Sequence, residues 1–106
     1  MRKGNVWVND LLAGTLVEDE EGYHFSYSET YLSHAEPKPV SLSLPLNASP
    51  YHSRVLFSFF DGLIPEGWLL MVAQKSWKID PRDRMGLLLS VCRDCVGNIR
   101  IEPVDA

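Results

Sequence analysis

The residues with the most chemical potential are two cysteines, Cys92 and Cys95, spaced as Cys-x-x-Cys, a pattern used by thiol redox sites and as one half of a zinc site. Zinc needs four ligands, and His24, His34 and His52 stand at no metal-ligand spacing to one another or to the cysteines. The pair also lacks the strand-then-helix-start setting of a thioredoxin-like motif. The expectation is two reduced, partly buried thiols packing as small apolar groups. Asp80, Asp83 and Asp94 are acids near one another in the helical half, and their spacing fits helix caps and turns better than a metal. Ser41, Ser43 and Ser49 have no elbow-glycine pattern, and no histidine has an evident orienting acid, so nucleophilic catalysis has no support. The seven glycines are scattered singly, which leaves no run of amides to close on a phosphate. A kinase site would also need a phosphate-binding lysine, an acid to take the hydroxyl proton and acids for magnesium, and 106 residues cannot house these beside their own core. The chain therefore reads as a binding module that is not an enzyme and carries no metal or cofactor.

The elements that would position a binding surface form one domain over residues 1–106, which on folding should bury roughly 65% of the surface of the unfolded chain. An apolar content of 45% is that of a globular protein. Fourteen acidic and ten basic side chains give a net charge of −4, which argues against direct contact with nucleic acid. Met1-Arg2-Lys3 is charged, but Asn5, Asn9 and Asp10 interrupt the residues after it, so there is no signal-peptide core. No run approaches the roughly 20 apolar residues of a membrane span, and the expected location is the cytoplasm, with no membrane contact.

Residues 5–9, 14–17 and 23–27 read as a three-stranded meander, with the acidic stretch Glu18–Glu21 as a solvated hairpin turn. Alternation puts Tyr23, Phe25 and Tyr27 on one face of the third strand, and His24, on the other face, reads as a surface residue. Residues 40–46 alternate most cleanly, with Val40, Leu42, Leu44 and Leu46 on one side, and Pro45 marks this expected strand as an edge. The period then changes. Ser49-Pro50 reads as the start of a helix to Phe60, carrying Val55, Leu56, Phe59 and Phe60 and stopped by Asp61-Gly62. A second helix is expected from Pro65, with Leu69, Val72, Ala73 and Trp77 in one stripe. Asp80-Pro81 should cap a third, with Asp83 as a capping-box acid and Met85, Leu88, Leu89 and Cys92 towards the core. Residues 98–101 form a last strand. The composite is an α+β fold, a small antiparallel sheet with a cluster of about three helices.

Against this background residues 57–71 are too apolar and aromatic for one small core to hide. Trp68 and Met71 lie off the expected stripe of the second helix, so part of the segment should face a partner, for which tryptophan is a favoured anchor. The plainer alternative is that Trp68 lids the core.

At this segment the sequence resembles the N-terminal subdomain of HipA-type Ser/Thr kinases, the toxins of bacterial toxin–antitoxin modules. The resemblance is carried by Val6-Trp7-Val8-Asn9 with Gly14-Thr15-Leu16, Phe25-Ser26-Tyr27, and Leu42-Ser43-Leu44-Pro45-Leu46. It continues through residues 59–67, Leu87-Leu88-Leu89 and residues 94–99, in order over nearly the whole chain. In HipA kinases this subdomain runs on into the kinase core, whereas this sequence stops at Ala106, and its tail Glu102–Ala106 favours a complete chain over a piece cut from a longer kinase. The resemblance implies a freestanding, HipS-like antitoxin that binds and neutralises a HipT-like Ser/Thr kinase, with a separate HipB-like protein reading DNA in a ternary complex. It implies a partner contact through Leu63, Ile64, Pro65, Glu66, Gly67, Trp68 and Met71. An accessory role in operator binding through the HipB-like protein, a piece that completes and activates the kinase, and a truncated HipA kinase are the alternatives.

Overall fold

The computed structural model describes residues 1–64, 80, 82–92 and 98–104. Five strands form one antiparallel sheet: β1 (Arg2–Val8), β2 (Leu11–Asp19), β3 (Gly22–Tyr27), β4 (Tyr51–Ser53) and β5 (Ile99–Val104), in the spatial order β4-β3-β2-β1-β5. The expected meander is present with longer strands. Asn9 accepts a left-handed φ of 54° in the tight β1–β2 turn, a conformation asparagine tolerates well. The β2–β3 turn is the expected acidic one, and Gly22 leaves it with a φ of 126°. A Cβ there would sit 2.5 Å from the Ser53 carbonyl, so glycine is what lets β4 close on β3.

Register sorts the two faces. Leu16 lies opposite both Gly4 and Phe25, and Val6 opposite both Gly14 and Ile101, so these residues share the face that carries the core. The other face carries Lys3, Val17, His24 and His52 in one row and Asn5, Thr15 and Ser26 in the next, none of them fully buried. On that face Arg100 stacks 5.0 Å above the Trp7 ring, a cation–π contact across β1 and β5.

Three helices are found among the described residues: α1 (Glu29–Leu32), α2 (Ser58–Asp61) and α3 (Arg84–Val91). Single-turn α1 has no counterpart in the sequence pattern. Ser28 caps it by accepting from the Tyr31 amide at 3.1 Å and donates to the Leu12 carbonyl at 2.8 Å. Phe60 of α2 meets Phe25 at a ring separation of 5.3 Å, and Phe57 and Phe59 pack edge-on to Phe60. Met85, Leu88 and Cys92 are buried as expected, while Leu89 is only partly so. Leu87 and Val91 are buried as well, because α3 is covered on more than one side and its apolar residues are not confined to a stripe. Gly4 permits this: a Cβ there would lie 2.8 Å from the Leu89 side chain.

Three expectations need correction. Residues 40–46 are not a strand. They form a turn with a single bridge between Ser41 and Leu44, because Pro39 and Pro45 withhold ladder donors and tyrosine hydroxyls satisfy the backbone instead. Residues 49–60 are not one helix. Tyr51–Ser53 pair with β3 as an edge strand, filling hydrogen bonds that β3 would otherwise leave open, and only Ser58–Asp61 turn helical. Asp83 is the N-cap of α3, accepting from the Gly86 amide at 3.1 Å, rather than a capping-box acid; Asp80 instead accepts from the Asp83 and Arg82 amides one turn earlier. The expected second helix, from Pro65 through Trp77, lies outside the described residues.

Asp83 also ties the helix layer to the sheet. Arg2 donates to both of its oxygens, at 2.9 and 2.7 Å, and through Nε to Glu18 on β2 at 2.7 Å. The Arg2 guanidinium and the Gly86 amide hold the Asp83 carboxyl below its ordinary value. A depressed carboxylate stabilises the fold above the unfolded value of about 3.9. That contribution is lost as pH falls through the lower folded value. Asp83→Ala should cost about 1–2 kcal/mol in urea unfolding at pH 7. Asp83→Asn keeps a capping oxygen, should cost under about 1 kcal/mol, and should flatten the acid limb of stability against pH. Tyr27→Phe should cost about 1–3 kcal/mol in the same assay, because the Val40 amide and the Leu44 carbonyl lose their shared partner.

Candidate functional site

The segment expected to meet a partner leaves the core at the end of α2. Beyond Asp61 the chain continues in single turns, with the Leu63 amide donating to Phe60 at 3.1 Å and the Ile64 amide to Asp61 at 3.2 Å. Ile64 is buried with the core cluster, so its side chain fastens the start of the segment instead of being offered to a partner. Leu63 is half-buried, and its carbonyl accepts from the Cys92 thiol at 3.3 Å. Arg84 of α3 donates to Asp61 of α2 at 2.6 Å and locks the two helices together at this point. Pro65, Glu66, Gly67, Trp68 and Met71 lie outside the described residues.

Beside this departure point a shallow cleft is lined by Val55, Leu56, Ser58, Asp61, Gly62 and Arg84. Val55 is 71% exposed there, an apolar side chain that helical spacing assigns to the core. The reason is that residues 54–57 bend and follow no regular structure, so the spacing that would turn Val55 inward does not apply. The Asp61–Arg84 pair has no signature in the sequence, since its members come from different helices.

The titratable groups gather elsewhere. His24 and His52 are directly opposite on β3 and β4 with ring centroids 4.7 Å apart. Both oxygens of Asp19 lie within 3.1 Å of His24 Nε2, and His52 Nε2 contacts the Glu21 carbonyl at 3.0 Å. His24 thus has an orienting acid, contrary to the sequence expectation, because the β2–β3 turn folds Asp19 back onto it; the same bond holds the Asp19 carboxyl below its ordinary value. His24 is 28% exposed rather than a free surface side chain. No serine or cysteine among the described residues hydrogen-bonds either imidazole, and no cluster among the described residues has the makings of a metal site. The pair can brace β4 against β3, and among the described residues it has no nucleophile to activate. Of the two cysteines, Cys92 is buried in the core and Cys95 lies outside the described residues. No helix among the described residues is long and apolar enough to cross a membrane.

The profile of the HipA N-terminal domain family matches residues 4–102. An uncharacterised protein of Haemophilus influenzae is 37% identical over 102 residues, which are 96% of this chain and 92% of that protein. A putative kinase of Sinorhizobium fredii is 32% identical over 102 residues, which are 95% of this chain but 24% of the kinase. The solved N-terminal domain of HipA toxin has the same fold, with a TM-score of 0.76 and 34% identity, covering 99% of this chain and 94% of that one. The matched unit is distinct from a kinase catalytic domain. By profile, relatives and fold together, this chain belongs to the HipA N-terminal domain family.

Proposed function

We propose that this protein is the antitoxin of a three-component HipBST-type module, acting in the bacterial cytoplasm by binding a HipT-like Ser/Thr kinase and holding it inactive. The observation that carries this reading is how the same domain is distributed: it makes up 24% of a putative kinase in one relative and 92% of a separate protein in another. A domain built to sit against a kinase body keeps the matching surface when it is a separate molecule. It can therefore occupy that body in trans.

In this reading the sheet-and-helix body docks on the small lobe of the kinase, and residues 63–71 reach towards the nucleotide cleft. Leu63 makes the first contact while Ile64 anchors the base. Pro65 and Gly67 shape the turn that presents Trp68, Glu66 meets a basic group, and Met71 adds adaptable apolar contact. Trp68 acts as a wedge that keeps ATP out or the cleft open, so inhibition is steric. A complex of this kind should bury on the order of 1,600 Å² in total. The kinase would in turn associate with a HipB-like DNA-binding protein, and this acidic chain would reach operator DNA only through it.

A second reading is favoured by the match to one quarter of the putative kinase: the domain completes the kinase fold and supports its activity. Mixing the purified chain with a HipT-like kinase that lacks this domain separates the two by sign, since phosphorylation falls under the first reading and rises under the second. Trp68→Ala should weaken binding by about 2 kcal/mol, roughly thirtyfold in Kd, and relieve inhibition while circular dichroism is unchanged. Intact inhibition by a folded Trp68→Ala protein would show that the wedge mechanism is wrong.

A further inference from the structure

We infer that Leu42 is a preformed apolar knob that seats in a pocket of the same kinase partner, as a second anchor separate from Trp68. The inference rests on the kinase-binding reading and adds a contact that the family resemblance does not supply.

Residues 33–50 connect α1 to β4 without a strand or helix, so their backbone groups need partners from outside the loop. Three tyrosines supply them. Tyr31 donates to the Lys38 carbonyl at 2.6 Å, and Tyr51 to the Pro45 carbonyl at 2.7 Å. Tyr27 accepts from the Val40 amide at 3.0 Å and donates to the Leu44 carbonyl, bridging the two ends of the turn with one hydroxyl. Burial pushes the Tyr27 hydroxyl above its ordinary value, so it remains a donor across the working pH range. Within the turn, the Leu44 amide closes on the Ser41 carbonyl at 3.1 Å and the Ser41 and Ser43 hydroxyls pair at 2.9 Å.

This scaffold buries Leu44 to 3% exposure and leaves Leu42, at the tip, 95% exposed. Turn tips ordinarily carry glycine, proline, asparagine, aspartate or serine, each of which serves the turn; leucine serves no such purpose. A single exposed leucine on a mobile loop is unremarkable in soluble proteins. Here the backbone on both sides is pinned, so the ordering cost of presenting the side chain has been met within the free protein. The surroundings match the centre of an interface. From Pro39 to Ser53 no side chain carries a formal charge, the longest such stretch in a chain that is 23% charged, and interface cores are depleted of charge. The flanking serine hydroxyls supply a polar rim. The matching site is a leucine-sized apolar pocket bordered by hydrogen-bonding groups.

The test compares the full chain with Leu42→Asp, Leu42→Met and Trp68→Ala for affinity to a purified HipT-like kinase lacking this domain, alongside thermal unfolding and sedimentation of each free protein. Leu42→Asp should leave the melting temperature unchanged and weaken Kd by about tenfold or more, whereas Leu42→Met stays within about threefold of the parent. Wild-type affinity for Leu42→Asp, with Trp68→Ala impaired, overturns this inference and leaves the kinase reading standing. Absence of binding by the parent chain overturns both. If Leu42→Asp instead splits a dimer of the free chain and binds kinase normally, the knob serves self-association and the inference is overturned.

Discussion

Five strands hydrogen-bonded side by side create an apolar face that must leave water, and among the described residues the helices available to cover it are short: two single turns and the two-turn α3. Large side chains make up the difference. Phe25 and Phe60 meet at the centre, Met85, Leu87 and Leu88 fill in from α3, and Gly4 lets that helix come within touching distance of β1. The Arg2 clamp then fixes the angle of approach, because its guanidinium binds the N-cap of α3 and a carboxylate of β2 together. Helix position, cap and the β1–β2 pair are thus one arrangement, in which Asp83 serves both as cap and as ion-pair partner.

The same shortage explains the long connection from α1 to β4. A segment rich in proline cannot join the sheet, and a segment with neither ladder nor helix must be satisfied from the side. Tyr27, Tyr31 and Tyr51 do this with their hydroxyls while their rings pack inward; Tyr27 and Tyr31 stack nearly parallel, with an interplanar angle of 6°. Ordered loop and apolar core are therefore built from the same side chains.

The sequence was legible where local pattern and tertiary context agree. β1 to β3 follow from alternation and turn chemistry, α3 from its apolar residues and preceding aspartates, and β5 from the apolar residues after Gly97. It misled where they compete. Val40, Leu42, Leu44 and Leu46 alternate as a strand should, but no neighbouring strand accepts them, and tyrosine hydroxyls from β3, α1 and β4 decide the outcome. Tyr51 to Ser53 come directly after a helix-start signal, yet the open edge of β3 outweighs it. The segment that begins at Leu63 stands out in the sequence because its composition is unusual. Val55, the Asp61–Arg84 lock and the His24–Asp19 bond could not, since each depends on segments meeting that no spacing rule brings together.

The outer rim of β5 has a consequence for solution behaviour. The Ile101 amide points away from β1 and is taken by the Cys92 carbonyl at 2.9 Å, and Pro103, on the same rim by strand alternation, has no amide to offer. An incoming strand would find the Ile101 donor occupied and no donor at Pro103. That weakens edge-to-edge pairing of one molecule's sheet with the next along this rim, the route by which small β-rich proteins seed fibres. It also means that a partner approaching this rim gains less by extending the sheet and more by reading side chains. Selectivity at such a surface resides in residue identity, so it can drift between related modules by point substitution while the fold stays fixed.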